Sequence, residues 1–317
     1  MNKRNRFEQF AWGLLVYNLA VVYWGVYVRA SFSGDGCGAH WPLCGGVAIP
    51  INPHAKTVVE FLHRVSSGMA LVLILVLGVW AFAKFPAGHG ARFGAAMSIA
   101  FTFSEAIIGA ALVLFKLVAH NPSIYRAVVV STHLTNTFIL LAFLTITAWC
   151  ASNRKLPRLR RQGFDGVALA IAAAAVTILG ITGTFAALGD TLYPSSSIIA
   201  GMKQDFAPTA NYLLRLRPVH PFVAILVAVY VGAIASIVAK RRPRPDVLLY
   251  RRSMMCIFGF QLLFGFVNLM MHAPVWMQLE HLLIADILWI NLILFATAAL
   301  SVDGIAATSD EVIQQQA

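Results

Sequence analysis

The chain has 317 residues, of which 59% are hydrophobic and 12% charged, with a mean hydropathy of +0.75 and a formal net charge of +11 at pH 7. Soluble chains of ordinary composition carry about 25% charged residues, so a soluble enzyme is excluded, as are disorder, collagen and a disulfide-rich miniprotein. In so apolar a chain the positive charge reads first as a topology signal and not as a nucleic-acid footprint.

Apolar stretches long enough to cross about 30 Å of hydrocarbon fall at 10–30, 61–83, 94–117, 127–150, 166–188, 219–239, 253–272 and 280–300. Strand-type alternation is absent, so the predicted fold is an all-α integral membrane protein of eight transmembrane helices and not a barrel. The first span is too long for a signal-peptide core and lacks a small-residue cleavage site, so it is expected to be retained. With the N-terminus inside, 16 of the 24 basic residues fall on cytoplasmic segments, concentrated at 154–161 and 240–252. Only Arg29, Lys56, Arg64, Lys116, Arg126, Lys203, Arg215 and Arg217 fall outside, so both termini are expected in the cytoplasm, with the inner basic residues contacting anionic lipid. No nucleic-acid partner follows.

Cys37 and Cys44 stand seven apart in the outer loop Gly34–Gly46. A structural disulfide, a redox-active pair and a metal-binding pair are all compatible with that spacing. Cys150 and Cys256 fall within spans near the cytoplasmic side and read as small hydrophobes.

The two halves of the chain share a frame. Ser104-Glu105-Ala-Ile-Ile-Gly109 in span 3 aligns with Phe260-Gln261-Leu-Leu-Phe-Gly265 in span 7. His63 and His220 begin the second span of each half, and His133 and His281 the fourth, at offsets of 157 and 148 residues. The expected arrangement is two tandem, parallel-repeat four-helix bundles. Residues 1–151 form the first bundle, 152–165 a cytoplasmic basic linker, 166–302 the second bundle and 303–317 a cytoplasmic tail.

Among nine histidines, His40, His54, His89, His120 and His272 lie in loops or at span ends and read as solvated polar residues. The other four lie within the first two turns of helices that all run from outside to inside. An intramembrane ionisable residue is a functional hypothesis by default. Carboxylate-rich di-iron patterns and H-E-x-x-H zinc motifs are absent, whereas two lone imidazoles on opposing helices suit the axial positions of a haem. Two haem sites follow, toward the outer face. The halves are unequal: Glu60 precedes His63 by three residues on the same helix face, while the matching position before His220 is Arg217. Glu60 reads either as a carboxylate beside a haem or as an acid stabilising a helix N-terminus. Arg64, Arg215 and Arg217 are candidates for propionate contacts.

The stretches Gly25-Val-Tyr-Val-Arg29, Cys37-Gly-Ala-His-Trp-Pro-Leu-Cys44-Gly45 and Glu60-Phe-Leu-His63-Arg64 resemble the haem A synthase family in its Cys-x6-Cys outer-loop form. Ala187-Leu-Gly-Asp-Thr-Leu-Tyr-Pro194, Leu216-Arg-Pro-Val-His-Pro221 and Glu280-His-Leu-Leu-Ile-Ala-Asp286 agree, and the likeness covers almost the whole chain. It implies oxidation of the C8 methyl of haem O to a formyl group through hydroxylated intermediates, for cytochrome oxidase biogenesis, in a bacterial plasma membrane. It further implies His63 and His133 as axial to the substrate haem o, His220 and His281 as ligands of a resident haem b, Glu60 as the catalytic acid and Cys37–Cys44 as a disulfide. Delivery of haem O by a haem O synthase and an electron donor are implied too, and a homo-oligomer is compatible. Two departures stand out: Tyr193-Pro-Ser-Ser-Ser-Ile198 lacks the second cysteine pair of many relatives, and His40 precedes Trp41. The alternative is a di-haem cytochrome b carrying electrons from a quinol, which gives Glu60 no task.

Overall fold

In a computed structural model, residues 5–152, 154–157 and 162–301 are described. The tail 303–317 and the basic residues Lys3, Arg4, Arg158, Arg160 and Arg161 lie outside them. Among the described residues the secondary structure is helical, without strands: α1 (Arg6–Ala30), α2 (Ala55–Lys84), α3 (Gly90–Leu114), α4 (Ile124–Ala151), α5 (Gly163–Leu192), α6 (Ile198–Asp205), α7 (Tyr212–Leu216), α8 (Val219–Arg241), α9 (Pro245–Met270) and α10 (Val275–Leu300). Among the described residues eight helical stretches are long and apolar enough to cross a membrane, one of them, Tyr212–Arg241, running through α7 and α8. At 1.5 Å per residue they run about 35 to 45 Å, longer than the hydrocarbon. That explains why most helices start earlier than the hydropathy pattern predicts: the polar first turns project beyond the apolar layer and are still helical. His63 and His133 are consequently the ninth and tenth residues of α2 and α4, in the third turn and not the first two.

The helix ends carry recognisable caps. Asn5 accepts from Glu8 N at 2.9 Å, Ser123 from Arg126 N at 3.3 Å, and Pro245 opens α9. The segment between α5 and α8, expected as a loop, contains α6 and α7, capped by Ser197 and Asn211. Pro218 and Pro221 lack the N–H groups that would make α7 and α8 one continuous helix.

Helix α1 packs on α2, α2 on α3, α3 on α4 and α4 back on α1; α5, α8, α9 and α10 close a second ring in the same way. The rings meet where α4 touches α5 and α10, and α1 touches α10. Accordingly α4 and α10 are the most buried spans, while α3 and α9 are the least. Val72, Val76 and Val79 on α2, Leu226 and Val229 on α8, and Leu263 and Phe266 on α9 point outward, as a lipid-facing surface requires.

The seam between the rings is polar at one end and aromatic deeper in. Arg29 of α1 donates to Ala187 O and Thr191 Oγ1 of α5 at 3.2 Å and to Gln278 Oε1 of α10 at 3.1 Å. Tyr23 donates to Glu280 Oε1 at 2.9 Å. Phe138 and Trp289 stack at 4.8 Å, and the indole N–H donates to Phe138 O at 2.6 Å. At the opposite end the basic cluster is only partly available to lipid. Arg242 is consumed by Asp165 at 2.8 Å, Gln162 at 2.9 Å and Ala299 O at 2.6 Å, and Arg244 by Asp246 and the carbonyls closing α10. These guanidiniums satisfy helix-end carbonyls that would otherwise be orphaned.

Candidate functional site

Each of the four span histidines lies against a glycine of a neighbouring helix. A Cβ built on Gly25 (α1) would fall 2.8 Å from His63 Cε1; one on Gly183 (α5), 3.0 Å from His220 Cε1; one on Gly265 (α9), 2.9 Å from His281 Cε1. Gly109 (α3) leaves 4.0 Å to His133 Nε2. Any side chain at the first three would push the ring aside, so the backbone itself forms one wall of each imidazole's slot.

In the first ring His63 and His133 lie within electrostatic reach of one another. Nδ1 of His63 is buried without a hydrogen-bond partner, an unspent polar atom of the sort a ligand site leaves. Glu60, 3% exposed, occupies the second turn of α2 and not the first, which removes the helix-terminus reading. Its Oε2 accepts from Cys37 N at 2.7 Å, and its Oε1 accepts from Arg64 Nη2 at 2.5 Å and Nε at 3.1 Å. Arg64 Nη1 donates to the carbonyls of His40 and Leu43 at 2.6 and 2.7 Å. Cys37 and Cys44 are joined by a disulfide with Cα atoms 4.5 Å apart. The loop is thus closed on itself and buckled to α2 by the Glu60–Arg64 pair. Arg64, expected to be free for a propionate, is committed to this buckle.

In the second ring the rings of His220 and His281 have centres 6.3 Å apart and planes at 85°. With metal–imidazole bonds of about 2.0 Å, and ring centres about 1.1 Å beyond the bound nitrogens, two imidazoles on one iron have centres about 6 Å apart. The spacing of the pair matches that value, with His281 Nε2 3.3 Å from Gln261 Nε2 and His281 Nδ1 buried without a hydrogen-bond partner. Thr182 Oγ1 lies 3.1 Å from His220 Nδ1, leaving Nε2 as the ligand nitrogen. Arg217 pairs with Asp190 at 3.1 Å and Asp205 at 2.7 Å and donates to Gly201 O at 3.2 Å, so it too is committed. Among the described residues Arg215 makes one side-chain hydrogen bond, to Pro208 O at 2.7 Å, and of the three arginines it is the one not paired with a carboxylate.

Residues 8–293 match the family described as COX15-CtaA, cytochrome oxidase assembly protein. The chain belongs to this family. It is 44% identical over 93% of its length to a protein of Thermus thermophilus named protoheme IX farnesyltransferase, covering 49% of that relative. The chain spans about half the length of the Thermus relatives it matches. A heme A synthase of Halalkalibacterium halodurans is 36% identical over 30% of this chain and 32% of its own length, and one of an Exiguobacterium species 38% identical over 31% and 33%.

For a COX15-CtaA chain, the structure brings Glu60, Arg64, Cys37 and Cys44 into one cluster beside His63, pairs His220 with His281, and turns Arg217 to Asp190 and Asp205. Sequence reasoning missed Thr182 and Gly183, and aligned Gly109 with Gly265 and quoted Gly25 without giving any of them a role. The glycines had a signal: Gly25 to Gly183 and Gly109 to Gly265 repeat at 158 and 156 residues, close to the 157 of the first histidine pair. Glu105, aligned in sequence with Gln261, lies beside His133, with Oε1 3.0 Å from its Nδ1.

Proposed function

We propose that this chain is a haem A synthase, oxidising the C8 methyl of haem O to a formyl group for cytochrome oxidase biogenesis. The observation that carries the proposal is that both rings offer a glycine-backed histidine pair, while only the first adds a buried carboxylate three residues before a ligand on the same helix face. His63 and His133 would hold the substrate haem o and His220 and His281 a resident haem b. The bound haem supplies one-electron iron redox chemistry. Glu60 handles the proton: Oε1 is held by Arg64 and Oε2 by the Cys37 amide, so protonating either oxygen loosens the loop buckle. Proton uptake is thereby tied to movement of the disulfide loop. Two tandem parallel bundles, 1–151 and 166–302 with linker 152–165, account for the repeated glycine–histidine pairings. The excess of basic residues on one side and the disulfide on the other support a bacterial plasma membrane location with both termini cytoplasmic and the sites outward. The Thermus relatives carry a protoheme IX farnesyltransferase name and twice this length. That supports supply of the farnesylated substrate by such an enzyme beside this chain.

Co-expression in a host that makes haem O, followed by chromatography of extracted haems, tests the reading. Haem A or its hydroxylated precursor is expected, and their absence refutes it. Glu60→Ala is expected to keep haem at the second site and stop product formation; normal haem A output from that variant removes Glu60 from the chemistry.

A further inference from the structure

Glu105 is left over by the functional reading. Its Oε1 stands 3.0 Å from His133 Nδ1, within ion-pair and hydrogen-bond distance. Thr137 Oγ1 donates to the same oxygen at 2.5 Å, and Asn136 Nδ2 donates to Oε2. Asn136 is itself fixed by Phe101 O at 2.9 Å and by the Ser104 hydroxyl at 2.5 Å. All the hydrogen-bond partners drawn to Glu105 are donors, which suits an acceptor-only carboxylate. With Nδ1 facing this carboxylate, Nε2 is the other ring nitrogen, 4.0 Å from where a Cβ on Gly109 would stand.

The second ring differs at the matching position. Gln261 Nε2 donates to His281 O at 2.9 Å and lies 3.3 Å from His281 Nε2. One frame therefore presents a carboxylate to the histidine of the first half and a neutral amide to that of the second. The Ser–Asn clamp that supports Glu105 also has a counterpart, Ser253 on Asn291 at 2.6 Å, but seven residues further from the ligand on each helix.

We propose that Glu105 is a positioning residue that fixes Nε2 of His133 as the iron-binding nitrogen and biases the first-half haem toward the ferric state relative to the second. The proposal rests on reading His133 as a haem ligand. A carboxylate at the far nitrogen of a ligating imidazole raises its basicity, and outer partners of this type are worth about ten- to a hundredfold in ligand strength. Expressed as a preference for ferric over ferrous iron, that is about 59 to 118 mV at 59 mV per tenfold for one electron.

The test is an optical redox titration of the purified full chain loaded with iron protoporphyrin IX. Glu105→Gln is expected to raise the potential of one haem by ten- to a hundredfold in the ferric/ferrous ratio, with haem content kept. Gln261→Glu is expected to lower the other. Should Glu105→Gln not accumulate, Gln261→Glu poses the same question in the other ring. Potentials that stay put in the variants that load haem overturn the proposal. His133→Ala, measured in parallel, separates it from the ligand assignment: loss of one haem there with unmoved potentials in the Glu105 and Gln261 variants sinks only the role of Glu105. Unchanged haem content in His133→Ala sinks the assignment itself.

Discussion

Gly265→Ala puts the glycine-backed slot to the test with one methyl group. The added Cβ would stand 2.9 Å from His281 Cε1, whereas carbon atoms rest about 3.5 to 4.0 Å apart. The imidazole must retreat by about 0.6 Å or more, beyond the roughly 0.2 Å that metal–ligand distances tolerate. Overpacking of this sort costs about 1 to 3 kcal/mol, which at about 1.4 kcal/mol per tenfold is a five- to 150-fold loss of haem affinity at the second site. The same change favours the helix itself by about 1 kcal/mol, because alanine is the better helix former. That gain offsets only part of the overpacking cost, so haem content should fall with no rise in chain stability. Gly259 provides the control: it lies on the same helix with nothing within 4 Å of a Cβ, so Gly259→Ala should gain helix stability and keep its haem. Pyridine haemochrome assay per mole of purified chain, beside thermal unfolding in detergent, reads both quantities. Equal haem content in the two variants would refute the argument that backbone proximity sets the ligand's place.

Two further predictions concern the loops. Replacing Cys37 and Cys44 by alanine opens a closure of sequence separation seven, for which loop entropy gives about 2.5 kcal/mol. The loss should stay local, seen as faster proteolysis within 31–54 at an unchanged global unfolding temperature, since Glu60 and Arg64 still hold the loop to α2. At the other face, His89 caps α3 by accepting from Ala91 N through Nδ1 at 3.1 Å, and burial lowers its pKa below the ordinary 6.5. The folded state favours neutral imidazole, so this cap contributes fully above pH 6.5 and is lost as pH falls below it. His89→Asn, which caps without titrating, should flatten the dependence of unfolding temperature on pH between about 7 and 5; an unaltered slope would exclude the cap as its source.

The spans were legible because a membrane demands about 20 apolar residues in a row, a pattern that survives errors of several positions. The four histidines were legible for a related reason: ionisable groups are rare enough in such spans that four at one depth stand out. What the sequence concealed depended on chain folding back over itself. Glu60 and Cys37 are 23 residues apart, and nothing in either side chain announces that the amide of one lies on the carboxylate of the other. Arg64 and Arg217 looked like spare cations because their partners, carbonyls of the disulfide loop and Asp205 of α6, belong to segments without hydropathy signal. Helices α6 and α7 were hidden by their length, although Ser197 and Asn211 marked their starts.

The two rings use one device differently. Each has an arginine beside its first histidine, Arg64 one residue after and Arg217 three before, and each arginine ties down the outer segment of its own half. In the second ring the balancing acids, Asp190 and Asp205, come from α5 and α6 and not from α8, which carries His220. In the first ring the balancing acid is Glu60, on the same helix face as His63. The carboxylate that anchors the loop therefore shares a helix with a candidate ligand, whereas the second ring has its anchor acids on other helices. A haem carboxylate reaching Arg217 would have to displace Asp190 or Asp205, and one reaching Arg64 would have to displace Glu60. Arg215, with a single bond to Pro208 O, can take an anion without giving up an acid. Under the proposed haem A synthase reading, a propionate in the second half would therefore fall to Arg215, and the Glu60–Arg64 pair would remain to couple proton and loop in the first.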